Sequence, residues 1–222
     1  MDTVTPLAFL SHSKSGKELA AHLKLLLTRK GIDAFVAHED IEPAKEWDSV
    51  ILEQLRACDV FFPILTSDFP KSLWADQETG VAVGLGKVII PLKVDIDPYG
   101  FIAKYQAHKL PSALNSAAGW KLFQIMERNE RLRPKVRGGL IREFGRSHSF
   151  KEAGDRAERL TEIDSWERPE IEEILKVSGE NDQIHHSFAA RRSITGIIAK
   201  YKHKMSPRAK AWALRFQDLI IG

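Results

Sequence analysis

Short, largely apolar runs alternate with amphipathic segments along the first half of the chain, and this alternation constrains the fold more than any other feature. The apolar runs are residues 7–10, 33–37, 60–65 and 88–94. Runs of this length are typical of strands that are buried on both faces of a parallel sheet. Helices are then needed between successive strands to carry the chain back. The sequence therefore predicts an α/β fold with a parallel sheet covered on both faces.

The segments between these runs have helical periodicity. Residues 16–30 place four leucines at helical spacing before Gly31, which is a typical helix terminator. Further helices are predicted at residues 47–57, from Pro70 to the glycines at 84 and 86, and at 112–128. In such a fold, ligands bind beyond the carboxyl ends of the strands. Polar residues 11–16, 38–45 and 66–74 follow three of these ends, so we expect a site there.

The second half of the chain lacks this alternation. Residues 131–145 are basic and contain glycine, which predicts an exposed linker. Helices are predicted beyond it, at 150–163, 169–177, 183–203 and 207–221. We therefore divide the chain into a first domain, residues 1–130, and a helical accessory region, residues 131–222.

Composition excludes some functions. The 33 basic and 30 acidic side chains leave a formal net charge of only +3, which disfavours extensive nucleic-acid binding. The single cysteine, Cys58, fits a reducing compartment. The N-terminal residues lack the pattern of a secretory signal, and no apolar stretch is long enough to cross a bilayer. We expect a cytoplasmic protein without membrane contact. The histidines at 185, 186 and 203 lack the spacing of a metal site, so we expect no metal.

An ordered series of short motifs resembles the TIR (Toll/interleukin-1 receptor) domain family over roughly residues 5–128. The series is Phe-Leu-Ser-His at 9–12, Gly-Ile-Asp-Ala-Phe at 31–35, Glu-Asp-Ile-Glu-Pro at 39–43, Trp47, Ala-Cys-Asp at 57–59, Ser-Leu-Trp at 72–74 with Glu78, and Val-Ile-Ile-Pro-Leu at 88–92. The resemblance implies a flavodoxin-like parallel sheet. The later run at 99–106 is similar to the bacterial branch of the family, which includes anti-phage defence proteins of the Thoeris type.

The resemblance also implies an activity. Members that cleave NAD+ have a Trp-x-x-x-Glu arrangement on the helix after the third strand, and here it is Trp74 to Glu78. Glu78 is then the catalytic carboxylate. The resemblance, or the position at the binding edge of the predicted sheet, indicates the substrate-binding residues Ser11, His12, Lys14, Glu39, Trp47 and Trp74. NAD+ is a substrate in this interpretation, so no bound cofactor is expected.

One carboxylate suits this chemistry. The nicotinamide of NAD+ already carries a positive charge and departs as a neutral molecule, so the reaction needs no general acid. This differs from ordinary glycoside hydrolysis, which uses two carboxyl groups. What remains is to stabilise the positive charge that develops on the ribose, and a carboxylate in a partly dry pocket can do so. Trp74 and Glu78 are four residues apart, which predicts that they share one face of a helix.

Several alternatives stay open from the sequence. The product is ADP-ribose, a cyclic isomer of it, or a base-exchange product. In the leading hypothesis the product is a signal in bacterial anti-phage defence, read by an effector protein, and TIR domains associate with one another. In the alternative hypothesis the chain is a non-catalytic TIR assembly module, its second loop docks onto a neighbouring TIR domain, and Glu78 is incidental. Taken alone, Glu78 is an ordinary solvated glutamate on a helix.

Overall fold

The computed structural model describes residues 5–37 and 47–218, except for the side chains of Trp47 and of residues 215–218. The chain divides into two compact units between Val136 and Arg137. The first unit has the α/β fold that the sequence predicts, and the second is helical. None of the described helices is long and apolar enough to cross a membrane.

Parallel strands form the sheet of the first unit. The strands are β1 Leu7–Ser11, β2 Asp33–Val36, β3 Val60–Leu65, β4 Val88–Ile89, β5 Leu92–Lys93 and β6 His108–Lys109. Their order is β2-β1-β3-β5-β6, and β4 also pairs with β3. If β4 and β5 are taken as one interrupted strand, this is the flavodoxin-like order, and its topological switch point lies between β1 and β3.

The prediction of one unbroken strand at residues 88–94 is wrong in detail. Val88 and Ile89 pair with the first half of β3, and Leu92 and Lys93 pair with its second half. Pro91 lies in the gap between β4 and β5, and Pro63 lies in the facing part of β3. Because proline has no N–H to donate, the ladder is interrupted there. Strand β6 was not predicted, since two polar residues have no recognisable period.

The helices cover the sheet and build the second unit. Their bounds are α1 Lys17–Thr28, α2 Trp47–Ala57, α3 Leu73–Gly84, α4 Ser116–Arg128, α5 Arg133–Gly145, α6 Phe150–Thr161, α7 Arg168–Glu180, α8 Asp182–His185, α9 Phe188–Tyr201 and α10 Pro207–Asp218. Short 3-10 turns precede α1 and α3, at Lys14–Gly16 and Phe69–Lys71. Helix α3 therefore begins after Ser72, whose hydroxyl accepts a hydrogen bond from the Ala75 amide, and not at Pro70 as predicted.

The core of the first unit is aromatic at its centre. Phe9 on β1 is fully buried and contacts Phe35 on β2 and Phe61 on β3, with ring centroids 5.2 and 5.6 Å away. These three side chains stand on one face of neighbouring strands, in register with one another. The alternation of apolar runs that predicts the sheet therefore also predicts its core.

The predicted linker at residues 131–145 is a helix, and this corrects the sequence analysis. Helix α5 buries Val136, Leu140, Ile141 and Phe144, which recur at helical spacing. The basic residues and the glycine pair at 138 and 139 concealed this pattern. In the second unit Arg137 is 5 % exposed and forms an ion pair with Glu170 at 3.2 Å. A basic residue of this segment is thus part of a core and not of an exposed connection.

The predicted helix at residues 183–203 is interrupted. Helix α8 ends at His185, and Ser187 starts α9 by accepting a hydrogen bond from the Ala190 amide. The Ser187 hydroxyl donates to the Phe150 carbonyl oxygen at 2.9 Å, so the break also ties α9 to the start of α6. A serine that caps a helix interrupts the preceding one without leaving any signal in the hydrophobic period.

Two glycines of the second unit test how tightly α6 packs on α9. A Cβ at Gly154 would lie 2.8 Å from the Ala189 Cβ, whereas a Cβ at Gly196 would meet no described atom within 4 Å. We expect Gly154→Ala to lower the free energy of unfolding by about 1–3 kcal/mol through overpacking. The matched Gly196→Ala should raise it by about 0.5–1 kcal/mol, since alanine favours the helix. Urea unfolding followed by circular dichroism measures both, and equal effects would contradict this packing.

Candidate functional site

The candidate site lies at the carboxyl ends of β1 and β3, on either side of the switch point. Ser11 is the last residue of β1 and pairs in register with Pro63 of β3. Beyond these positions the chain leaves the sheet in two loops, one leading through a 3-10 turn to α1 and the other to α3. The parallel pairing of the two strands therefore brings both loops to the same edge.

Helix α3 carries Glu78 on its buried face. The buried residues of this helix are Ala75, Glu78, Thr79 and Ala82, at the spacing of one helical face. Thr79 satisfies its own hydroxyl by donating to the Ala75 carbonyl oxygen at 2.7 Å. Glu78 is thus the one ionisable side chain on that face, among alanines and a self-satisfied threonine. A buried ionisable group without an ion pair is unusual in a folded domain.

The Glu78 carboxyl group is held at one oxygen. The Ser11 hydroxyl donates to Oε2 at 2.5 Å, and Ser11 and Glu78 are 0 % and 3 % exposed. Among the described residues, Oε1 is buried and has no hydrogen-bond partner. Glu78 also forms no ion pair with any of the described residues. One carboxyl oxygen therefore has an unused capacity to accept hydrogen bonds, in a place that the side chains have largely closed to water.

Burial dominates the electrostatics of Glu78. Loss of water raises the pKa of its carboxyl group from 4.5 to about 7, and the hydrogen bond from Ser11 opposes this rise. The anion is disfavoured because no cation among the described residues replaces the lost hydration. A positively charged ligand would replace that hydration, so the site is complementary to positive charge. A perturbed carboxyl group at a ligand-binding edge is a recognised mark of a functional site.

A second carboxylate ties the two loops together. Asp68, in the loop after β3, accepts hydrogen bonds from the hydroxyls of Ser13 and Thr66, at 2.7 and 2.8 Å. It also accepts from the hydroxyl and from the backbone amide of Ser15. These hydrogen bonds hold the pKa of Asp68 well below its usual range, and the bond from the Ser15 hydroxyl has the largest effect. Asp68 thus remains ionised and fixes the β1 loop against the β3 loop.

The turn after β1 is packed closely. His12 is 4 % exposed, and its Nδ1 lies 2.8 Å from the Ser13 carbonyl oxygen, so this nitrogen is the donor. A Cβ at Gly16 would come within 3.1 Å of the His12 Cβ. A side chain larger than hydrogen at position 16 would therefore press on the Cβ of His12. His12 and Gly16 are thus buried against each other at this turn, while Lys14 between them is exposed.

The remaining predicted site residues are placed as follows. Trp74 lies in the first turn of α3, one turn before Glu78, and 42 % of its surface is exposed. Trp47 is the first residue of α2, but its side chain is not among the described parts of the chain. Glu39 lies wholly outside the described residues. The structure therefore brings Ser11 and Glu78 into contact and leaves Trp74 at the surface nearby along the same helix. Sequence reasoning missed Asp68, although its place two residues after Thr66 at a strand end was a usable signal.

Comparison with known proteins agrees with this fold. The family model described as "TIR domain" matches residues 8–123, which is more than half of the chain. The chain belongs to the TIR domain family. A search of curated proteins finds none that matches it.

Two solved structures are among those to which the chain is similar. The TIR domain of the Toll-related receptor TRR-2 from Hydra magnipapillata has 18 % identity and a TM-score of 0.46, and the match covers 55 % of this chain and 98 % of that one. The TIR domains of the activated Roq1 resistosome, which recognises the pathogen effector XopQ, have 17 % identity and a TM-score of 0.39, with 71 % and 96 % covered.

The burial of Glu78 predicts a dependence of stability on pH. The carboxyl group keeps its proton up to about pH 7 in the folded chain, but only up to about pH 4.5 when it is exposed by unfolding. Between these values the folded state binds more protons, so this group makes the protein less stable as pH rises. Glu78→Gln removes the titration. We expect the stability of this variant relative to wild type to rise by about 3 kcal/mol between pH 4 and pH 8.5.

Urea unfolding of both proteins across this pH range measures the difference. Glu18→Gln, at an exposed position of α1, controls for the loss of one negative charge. A difference between Glu78→Gln and wild type that stays constant with pH would contradict the burial of an isolated carboxyl group.

Proposed function

We propose that this TIR domain cleaves the bond between nicotinamide and ribose in NAD+, with Glu78 as the catalytic carboxylate. The observation that carries the proposal is a single one. At the ligand-binding edge of the sheet, a buried carboxyl group has one oxygen fixed by Ser11 and the other without a partner among the described residues. The family resemblance supplies the reaction, and the geometry of Glu78 supports it.

The chemistry requires little of the protein. The bond between C1′ of the ribose and the ring nitrogen breaks, and both of its electrons go to the nicotinamide, which leaves neutral. Positive charge then spreads over C1′ and the ring oxygen of the ribose. The Glu78 carboxylate stabilises this charge, and its free oxygen accepts a hydrogen bond from a ribose hydroxyl. Water completes hydrolysis by adding its oxygen to C1′ and releasing a proton, whereas an adenine nitrogen or a ribose hydroxyl closes a ring.

The raised pKa of Glu78 fits a cationic substrate. In the free enzyme the carboxyl group is largely protonated below pH 7, because burial disfavours its charge and no described cation compensates for it. The positively charged nicotinamide ring provides that compensation and promotes ionisation as it binds. The electrostatic cost of the buried anion is thus lower with substrate present than in the free enzyme, and lower still when charge moves onto the ribose. Stabilisation that grows toward the transition state is what accelerates a reaction.

The surrounding loops supply candidates for the rest of the substrate. Lys14 is exposed on the β1 loop, where its ammonium can reach a pyrophosphate, and the Asp68 bonds hold this loop in place. Trp74 offers a partly exposed aromatic face one turn from Glu78. His12, together with Glu39 and Trp47 of the second loop and the helix after it, completes the proposed substrate-binding set. A role in bacterial anti-phage signalling, with an effector that reads the product, stays a prediction from the resemblance.

One observation favours assembly as a second candidate function. Leu73 and Phe101 are large apolar side chains that are 78 % and 77 % exposed. The Tyr99 hydroxyl donates to Asp76 at 2.5 Å, which holds the segment that carries Phe101 against the first turns of α3. Exposed apolar side chains in one region are typical of protein-binding surfaces. A non-catalytic module would associate through these side chains. In that case wild type and Glu78→Gln would associate equally, and neither would consume NAD+.

The catalytic proposal predicts release of nicotinamide from NAD+. We expect Glu78→Ala and Glu78→Gln to lower the rate by about 100-fold or more, since each removes the charge that stabilises the transition state. Gln77→Ala, at the neighbouring exposed position of α3, is the matched control and should keep the wild-type rate. Mass spectrometry of the products, over a series of protein concentrations, separates hydrolysis, cyclisation and base exchange. Equal nicotinamide release by wild type and Glu78→Gln would refute the assignment.

The proposal also predicts a direction for the pH dependence. If the ionised form of Glu78 is the active one, kcat/KM rises with pH through the pKa of the free enzyme, about 7, and then levels off. Initial rates at low NAD+ concentration between pH 5.5 and 8.5 measure this. A profile that is flat across this range, or that falls with pH, would contradict the proposed role of the carboxylate.

A further inference from the structure

The geometry points to Ser11 as a positioning residue that holds Oε2 of Glu78 and thereby presents Oε1 to the ligand. This inference rests on the proposed function for the identity of the ligand. It gives Ser11 a different role from the substrate contact that the sequence suggests. The supporting facts are the 2.5 Å hydrogen bond, the complete burial of Ser11, and the absence of a partner for Oε1 among the described residues.

The backbone of β1 makes Ser11 a rigid anchor. Strand β1 is paired on both sides, and Leu10 lies in register with Val36 of β2 and with Phe62 of β3. Ser11 itself is opposite Pro63. The Cα position of Ser11 is therefore fixed by the sheet, and its short side chain has a single torsion to the hydroxyl. The hydroxyl oxygen is thus located more precisely than a group on a loop would be.

Glu78 needs such an anchor. A glutamate has three side-chain torsions, and rotation about the last one exchanges its two oxygens. The Ser11 hydrogen bond removes this equivalence, because only one oxygen can lie at the hydroxyl while the other points elsewhere. The immediate neighbours of Glu78 on the buried face of α3 cannot do the same, since two of them are alanines and Thr79 donates within its own helix. Ser11 is thus the group that selects one orientation of the carboxylate.

The same hydrogen bond acts on the charge. A donor to a carboxylate stabilises the ionised form, so Ser11 lowers the pKa of Glu78 against the larger effect of burial. Ser11 therefore increases the fraction of free enzyme that is ready to bind a cation near neutral pH. A serine that merely terminated a strand would have no such influence, and this difference can be measured.

The first experiment compares the pH dependence of kcat/KM for wild type, Ser11→Ala and Ser11→Cys. Loss of a hydrogen bond to a charged group should move the midpoint up by about one pH unit, which is about a tenfold loss of activity on the acid side of the profile. Ser11→Cys has nearly the same shape and a weaker donor, so its midpoint should lie between the other two. A midpoint that stays unchanged in Ser11→Ala, whatever the height of the plateau, would overturn the positioning role.

The second experiment requires no catalysis. Above the pKa of Glu78 in the folded chain, the stability difference between Glu78→Gln and its parent stops growing, so the pH at which this difference levels off reports that pKa. We expect this pH to be about one unit higher when the parent is Ser11→Ala than when it is wild type. Coincident curves in the two backgrounds would refute the inference. If the shift occurs and wild type releases no nicotinamide, the proposed function fails while the coupling of Ser11 to Glu78 stands.

Discussion

The parallel pairing of β1 with β3 is the constraint on which the site depends. In this pairing Ser11 lies opposite Pro63, and both strands leave the sheet at the same edge. The Ser11 hydroxyl then lies within reach of α3, and the serines that follow lie within reach of Asp68. A change of one residue in register would turn Ser11 to the opposite face of the sheet and separate it from Glu78. The sheet thus determines the chemistry of the site as well as the fold.

The carboxyl groups of Asp68 and Glu78 have opposite electrostatic environments. Asp68 is surrounded by donors, so its charge is satisfied and it serves to hold two loops together. Glu78 has one donor among the described residues and is shielded from water, so its charge is largely unsatisfied. The contrast assigns a structural task to the first and, in our proposal, a catalytic task to the second. Chemical identity alone would not separate them, because each is an acid that accepts a hydrogen bond from a serine at or just after the end of β1.

The sequence predicts those elements whose apolar residues recur at a regular spacing. The buried strands and the leucine-rich α1 follow from the period of apolar residues, and the edge of the sheet that carries the site follows from the topology. It does not predict the helix α5, where glycines and basic residues mask four buried side chains, nor the break at Ser187. The Ser11–Glu78 contact joins residues that are 67 positions apart, and its hydrogen bond has no signature in local pattern. Contacts of this kind become visible only once the chain is folded.

The burial of Glu78 has an evolutionary consequence. A buried acid with no cation among the described residues makes the resting protein less stable at neutral pH, so substitution to a neutral residue of similar size is favoured by stability alone. A lineage that used this fold only for assembly would gain stability by replacing the acid with an amide, which can still accept the Ser11 hydrogen bond. In our proposal, the catalytic use of this glutamate offsets that cost in stability. In a related chain, an amide or an aliphatic residue at the same place would mark relaxation of the demand that the acid once met.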